Sequence, residues 1–156
     1  MAKKLQNIRI IERNIAGALI CSNNGKYLLG KSQSGASFAG AWCILGGGIE
    51  KNESQEEAII REVAEESGID ISKATLQLAS DARMGESKKT LKTGEEVIAK
   101  MRFFDFKVTL HQNSQDIKIK LDKREWSDMK WYDPKEIAML KLSVPTKLLL
   151  EQLEII

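Results

Sequence analysis

The chain has 156 residues, of which 42% are hydrophobic and 29% charged, and a formal net charge of +2. That length suits a single domain spanning residues 1–156 around one hydrophobic core, and the composition excludes general disorder. The near-neutral charge gives no reason to expect a nucleic acid polymer or an anionic membrane as partner.

The N-terminus carries Lys3 and Lys4 but lacks the apolar core of a signal peptide. Asn14 to Cys21 reads as a buried strand, too short to cross a bilayer. Ser22-Asn23-Asn24-Gly25 reads as a turn, because Asn and Gly tolerate positive φ. Tyr27 to Gly30 continues as the second strand of a hairpin. Ser32 to Gly40 is small and polar, a loop with Phe38 as its one large apolar residue. Trp42 to Leu45 is a short strand running into three glycines, Gly46 to Gly48.

Ser54 to Ser67 is the clearest helix. Ser54 with Glu57 three residues on is a capping-box signature, and Gly68 stands where a left-handed C-terminal cap belongs. Thr75 to Ser80 and Ile98 to Leu110 read as strands. The Lys-rich stretch between them, Arg83 to Glu96, reads as a mobile loop. Ile117 to Leu121 and Met129 to Tyr132 are short strands. Pro134 opens a helix to Leu140, and Pro145 opens a C-terminal helix to about Leu153. Strands, a helix, more strands and two helices predict an α/β fold with a mixed sheet covered by helices. Cys21 and Cys43, both in apolar surroundings, are expected to be buried reduced thiols of a cytoplasmic protein.

The chemistry concentrates on the first helix. At about 100° per residue, Glu62, Glu65 and Glu66 crowd one face, while Ile59, Ile60, Val63 and Ala64 form the side that packs on a sheet. Like charges at i and i+4 destabilise a helix by a few tenths of a kcal/mol, and Arg61, which can pair with Glu57 or Glu65, does not neutralise three carboxylates. A hard divalent ion does, and carboxylate oxygens suit Mg²⁺ or Mn²⁺. Backbone at the glycine turn can approach a metal or a phosphate closely. A Glu-rich solvated helix face is the ordinary alternative.

The spacing of Gly47, Glu53, Arg61, Glu62, Val63, Glu65, Glu66, Gly68 and Ile69 resembles the Nudix box residue for residue. Outside it, Tyr27 to Lys31 with Trp42, and Trp131 to Ile137, resemble the strands that flank the box in that family, so the likeness covers roughly Asn14 to Leu140. Leu45 departs from the Pro that many members carry before the glycine pair.

The resemblance implies an α/β/α sandwich around a mixed sheet and a MutT-like enzyme hydrolysing a nucleoside diphosphate linked to another moiety. The expected reaction is a nucleoside triphosphate giving a monophosphate and pyrophosphate. A nucleotide sugar or ADP-ribose type substrate, or a non-catalytic nucleotide-binding domain, stays open, although no Pro stands between Ile69 and Asp133 as the ADP-ribose subgroup usually requires. It further implies Glu62, Glu65 and Glu66 as metal ligands with the Gly47 carbonyl, Arg61 orienting the carboxylates, and Glu53 in a catalytic or structural role. The general base is left among Glu53, Glu62, Glu95, Glu96, Asp122 and Glu125. Lys31, Phe38 and Trp126 are candidates for holding the substrate, the two aromatics by stacking on a base. Lys88, Lys89 and Lys92 could guide phosphates from a lid. His111, the only histidine, reads as an ordinary surface or partly buried residue. The expected partner is a small-molecule nucleotide, with the protein a monomer or homodimer.

Overall fold

Alternation along one long strand sorts the side chains onto two faces. The computed structural model describes residues 8–33, 39–81 and 83–156. Strand β1 (Arg9–Cys21) sends Ala16, Ala18 and Ile20 into one core and Leu19 and Cys21 into another, as expected of a backbone whose successive residues point opposite ways.

Strand β2 (Tyr27–Ser32) follows a turn closed by Gly25 and pairs antiparallel with the end of β1, Ile20 opposite Leu28. Strands β3 (Trp42–Cys43) and β8 (Trp126–Tyr132) extend the sheet beyond β2. The rest of that edge of β1 is taken by β4 (Leu45–Gly48), antiparallel against Ile15 to Ala18. On its other edge β1 runs parallel to β7 (Glu96–Thr109) for its whole length, from Arg9 opposite Val97 to Cys21 opposite Thr109. Beyond β7 lie β5 (Thr75–Ser80) and β6 (Met84–Thr90), both antiparallel to it.

Helix α1 (Gln55–Ser67) covers one face. Its fully buried Ala58, Ile59 and Val63 belong to the same core as Ala16, Ala18, Ile20, Leu45 and Phe106. Helices α2 (Pro134–Ile137) and α3 (Val144–Gln152) cover the other, where Ile137 and Leu150 meet Leu19, Leu29 and Trp42. Each fully buried Leu, Ile or Val contributes about 1.5–3 kcal/mol relative to exposure, so these two clusters hold the layers together. The result is a mixed sheet between helices, the expected α/β/α arrangement. No helix among the described residues is long and apolar enough to cross a membrane.

Several segments differ from expectation. Gly46 to Gly48 is no turn but, with Leu45, strand β4, because β1 offers it a free edge. β8 begins at Trp126, not Met129, and α2 ends at Ile137, not Leu140. Arg83 to Glu96 is no loop over most of its length: β6 pairs with β7 from Met84 opposite Arg102 to Thr90 opposite Glu96. It is an edge strand exposed on both sides, so its polarity hides the pairing. β1 begins at Arg9, not Asn14, because its charged first half still finds β7 as partner. Ile117 to Leu121 forms no strand. Its backbone instead runs along the end of α1, where the Lys120 N–H donates to the Ser67 carbonyl and the Asp122 N–H to the Glu66 carbonyl. It satisfies carbonyls that a helix terminus leaves unpaired.

Candidate active site

Helix α1 is fixed at both ends by its own sequence. The Ser54 side chain accepts from the Glu57 N–H at 3.0 Å, and Glu57 accepts from the Ser54 N–H at 3.2 Å. Gly68, at φ 73°, closes the other end. Glu57 is thus committed to the cap and is not the partner of Arg61.

Arg61 organises the acidic face. Its Nε and Nη2 grip the two oxygens of Glu53 at 2.7 and 2.9 Å. Nη2 also donates to the Gly48 carbonyl at 3.0 Å. Nη1 donates to Glu62 at 2.8 Å and, more weakly, to Glu65 at 3.4 Å. One planar guanidinium therefore ties the loop before the helix to its carboxylates, a fork that lysine cannot reproduce. The Arg61 bonds, with the Glu50 N–H, hold the Glu53 carboxyl down at about 2. Arg61 itself is held more firmly protonated, first by Glu53.

Glu62 lies against the glycine strand. A Cβ on Gly47 would come within 2.5 Å of the Glu62 carboxyl carbon, so the bare glycine makes room for it. Burial raises the Glu62 pKa, with Arg61 opposing. Glu65 is the exposed member, its side chain 59% accessible.

Glu66 is the buried member, 1% exposed. Its Oε1 accepts from the Gly46 N–H at 2.9 Å and its Oε2 from the Trp126 Nε1 at 2.8 Å. Burial pushes its carboxyl up to about 9, and the negative charges of Glu125 and Glu62 add to that. Gly46 must be glycine here: its φ is 150° and a Cβ would collide with the Ala16 carbonyl. Each Glu66 oxygen keeps a second lone pair beyond these bonds.

Trp126 does not offer a free face for stacking. It is 5% exposed, its ring lies over Gly30, where a Cβ would meet it at 2.5 Å, and its N–H is spent on Glu66. The structure gives it the task of positioning a carboxylate. Lys31 lies on β2 between Gly30 and Ser32. Ser32 lines the cavity described below and Lys31 does not, as alternation requires. Phe38 lies outside the described residues.

The candidates for the base separate clearly. Glu95 is bonded to Arg9 at 2.8 Å and Glu96 to Lys88 at 3.2 Å, both on the β6–β7 hairpin. Asp122 is taken by Arg124 at 3.1 Å. Glu53 and Glu62 are bonded to Arg61, and Glu125 adds to their charge. Its pKa is raised by the surrounding protein and then by the negative charge of Glu62, Asp122 and Glu65. The expected lysine lid is replaced by strand β6, on which Lys89 reaches the cavity. His111 is exposed, and Cys21 and Cys43 are buried free thiols.

The acidic face adjoins a cavity of about 510 Å³ between the sheet and the start of α3. Gly46, Glu125 and Trp126 line its near end, two of them bonded to Glu66. Ile44, Phe103 and the half-exposed Leu148 supply apolar lining beside Gly17, Arg83 and Asp105. Sequence reading did not single out Arg83 or Asp105, which come together only when β5 and β6 are laid beside β7.

The candidate donors are all oxygens: four glutamates and the backbone of the glycine strand β4. Among the described residues no three acidic, His or Cys side chains already converge as a metal cage. A hard ion such as Mg²⁺ would require these carboxylates to draw together, with water and substrate phosphates completing its shell. The crowding of Glu62, Glu65, Glu66 and Glu125, with one shared arginine, is the kind of charge such an ion relieves.

A model of the NUDIX domain family matches residues 12–153. The nucleoside triphosphatase NudI of Salmonella agona is 34% identical over 142 residues, 87% of this chain and 92% of that protein. In fold, the chain is similar to the Nudix hydrolase RenU of M. smegmatis, with a TM-score of 0.70 at 17% identity over 92% of this chain and 85% of that one. It is also similar to the E. coli dihydroneopterin triphosphate pyrophosphohydrolase, with a TM-score of 0.63 at 20% identity over 89% of this chain and 92% of that one. With its box helix, glycine strand and matched domain, the chain belongs to the Nudix family and is a pyrophosphohydrolase acting on phosphorus anhydrides.

Proposed function

We propose that this protein, acting as one domain, hydrolyses a nucleoside triphosphate to a monophosphate and pyrophosphate with the help of Mg²⁺ or Mn²⁺. The observation that carries this reading is the Arg61-braced glutamate cluster, joined through Gly46 and Trp126 to a cavity of about 510 Å³. The likeness to a nucleoside triphosphatase over 92% of that protein's length supports the substrate class.

Glu62, Glu65, Glu66 and the Gly47 carbonyl would hold the ion. Bound there, the ion would neutralise phosphate charge and acidify a water molecule. The chain's own residues do the remaining work. Arg61 holds Glu62 in place through a 2.8 Å bond while Glu53 anchors Arg61 from the other side. We assign the proton from attacking water to Glu125, which lines the cavity and whose pKa is raised. Glu53 is unsuited to that step, because a carboxyl held at about 2 is a weak base at neutral pH. The two buried free thiols suit a reducing, cytoplasmic compartment.

A substrate panel tests the reading. Nucleoside triphosphates, nucleotide sugars, ADP-ribose and dinucleoside polyphosphates are each incubated with Mg²⁺ or Mn²⁺, with Glu65→Gln and Glu66→Gln as controls. Monophosphate and pyrophosphate from a triphosphate, abolished by chelator and by Glu66→Gln, is the expected result. Preferential release of sugar phosphate from a nucleotide sugar would replace the substrate class, and no metal-dependent turnover would remove the reading.

A further inference from the structure

The cavity beside the glutamates contains a charged side chain whose hydrogen bonding is incomplete. Asp105 sits on β7 opposite Gly17 of β1 and is 1% exposed. Its Oδ2 accepts two bonds from Arg83, from Nε at 3.0 Å and Nη2 at 2.7 Å. Its Oδ1 is fully buried and has no partner among the described residues. A buried polar atom without a partner is costly, and one in a native structure calls for a reason.

The surroundings supply that reason. A Cβ on Gly17 would come within 2.5 Å of Asp105 Oδ1 and 2.9 Å of Ile44 Cδ1. Gly17, Ile44, Arg83 and Asp105 all line the cavity. Oδ1 packs against the bare Cα of Gly17 and the tip of Ile44, so a ligand in the cavity reaches it by displacing that flexible tip. The Arg83 guanidinium carbon lies over the Phe103 ring, 4.5 Å from its centroid, and Phe103 also lines the cavity. Planar groups and apolar walls favour a flat ring over a sugar. Burial raises the Asp105 pKa and the Arg83 guanidinium opposes it; in the ion pair with Arg83, whose two bonds both go to Oδ2, Oδ1 is an acceptor that an N–H donor would satisfy.

We propose that Asp105, held by Arg83, is the base-selecting residue of this cavity, and that Oδ1 accepts a hydrogen bond from an N–H on the edge of a nucleobase. This rests on the nucleotide reading of the neighbouring glutamates and deepens it. One elongated cavity runs from Glu125, beside the glutamates, to Asp105, so a nucleotide would place its phosphates at one end and its base at the other. A site built to bond an N–H rejects the analogue that lacks it far more strongly than an apolar pocket rejects a missing methylene, because the buried acceptor is left unpaired.

Binding of nucleosides to the full chain, followed by ligand-observed NMR, tests this without requiring turnover. Adenosine is compared with purine riboside, cytidine with pyrimidin-2-one riboside and guanosine with inosine, each analogue lacking the exocyclic amine; uridine and guanosine are also compared with 3-methyluridine and 1-methylguanosine, which lack the ring N–H. The expected result is that at least one natural nucleoside binds and loses at least about 10-fold in affinity when its donor is removed. Asp105→Asn, which keeps an oxygen for Arg83 and can turn its N–H₂ toward the ligand, should shrink that ratio to about 1. If every pair binds equally well to the wild-type protein, or no nucleoside binds, the inference is overturned whatever the variant does. Should Asp105→Asn fail to fold, the wild-type comparisons still decide. Triphosphate turnover with equal pairs would remove the role of Asp105 and leave the proposed reaction standing. Unequal pairs without triphosphate turnover would do the reverse.

Discussion

The indole N–H of Trp126 donates to Glu66 Oε2 at 2.8 Å across a sequence separation of 60 residues, and so ties strand β8 to the buried end of the acidic helix face. Trp126→Phe keeps most of the ring and removes this donor. Glu66 would then rely on the Gly46 N–H alone. Losing one partner of a buried hydrogen bond costs about 1–3 kcal/mol. Urea unfolding of Trp126→Phe should show a loss of that size, together with reduced turnover. Unchanged stability would mean the bond is not formed in solution.

Glu66 also sets a direction for stability against pH. Its folded pKa is raised to about 9, chiefly by burial, above the ordinary carboxyl value of 4.5. The protonated form is therefore favoured in the fold. Its contribution is complete below about pH 4.5 and is lost as pH rises toward about 9. Without metal, the stability should fall across that window, and Glu66→Gln should flatten the fall. Divalent ions should counter it, since they favour the ionised form and release a proton on binding. A denaturation series at several pH values, with and without Mg²⁺, reads all three effects.

The box helix was legible because every signal for it is local: Ser54 and Glu57 at one end, Gly68 at the other, apolar residues at helical spacing between them. The Arg61 pairing was less so. The sequence offers Glu57 and Glu65 as neighbours on the helix, whereas the strongest partner is Glu53, brought in by the preceding turn. Strand β6 was misread because both its faces are exposed, although the Thr93-Gly94 turn before Glu96 is a hairpin signal. Glu125 and Trp126 gained their meaning from contacts with a helix 60 residues earlier, and the Asp105–Arg83 pair from strand order. No periodicity in the chain reports either relationship.

Arg61→Lys should separate charge from geometry. Lysine keeps the cation but cannot hold Glu53 with two bonds and also reach Gly48 and Glu62. Hydrogen bonds to charged groups contribute about 1.5–3 kcal/mol each, and groups that orient metal ligands alter activity by about 10–100-fold. The variant is expected to lose about 2–3 kcal/mol of stability and at least about 10-fold in turnover. The acid limb should change as well. The Glu53 pKa is depressed to about 2, so its contribution is present above the ordinary value of 4.5 and lost as pH falls through about 2. Arg61→Lys and Glu53→Gln should both make stability less sensitive to acid in that range. A variant as active and as acid-sensitive as the wild type would show that a point charge suffices.

Gly47→Ala asks whether the glycine strand serves the backbone or the glutamate. Gly47 is not in a left-handed conformation, so alanine brings no strain from φ. The obstacle is contact: a Cβ would stand 2.5 Å from the Glu62 carboxyl carbon and 2.6 Å from both of its oxygens. Glu62 would have to swing away, breaking its 2.8 Å bond with Arg61. Because the displaced side chain is at the rim of the site, the stability loss should stay near the 1–3 kcal/mol typical of an overpacked position. Turnover should fall further, by about 10–100-fold, since a metal-orienting carboxylate has moved. Gly48→Ala is the matched control, because nothing lies within 4 Å of a Cβ placed there. Equal activity in the two variants would show that Glu62 does not need the position it occupies beneath Gly47.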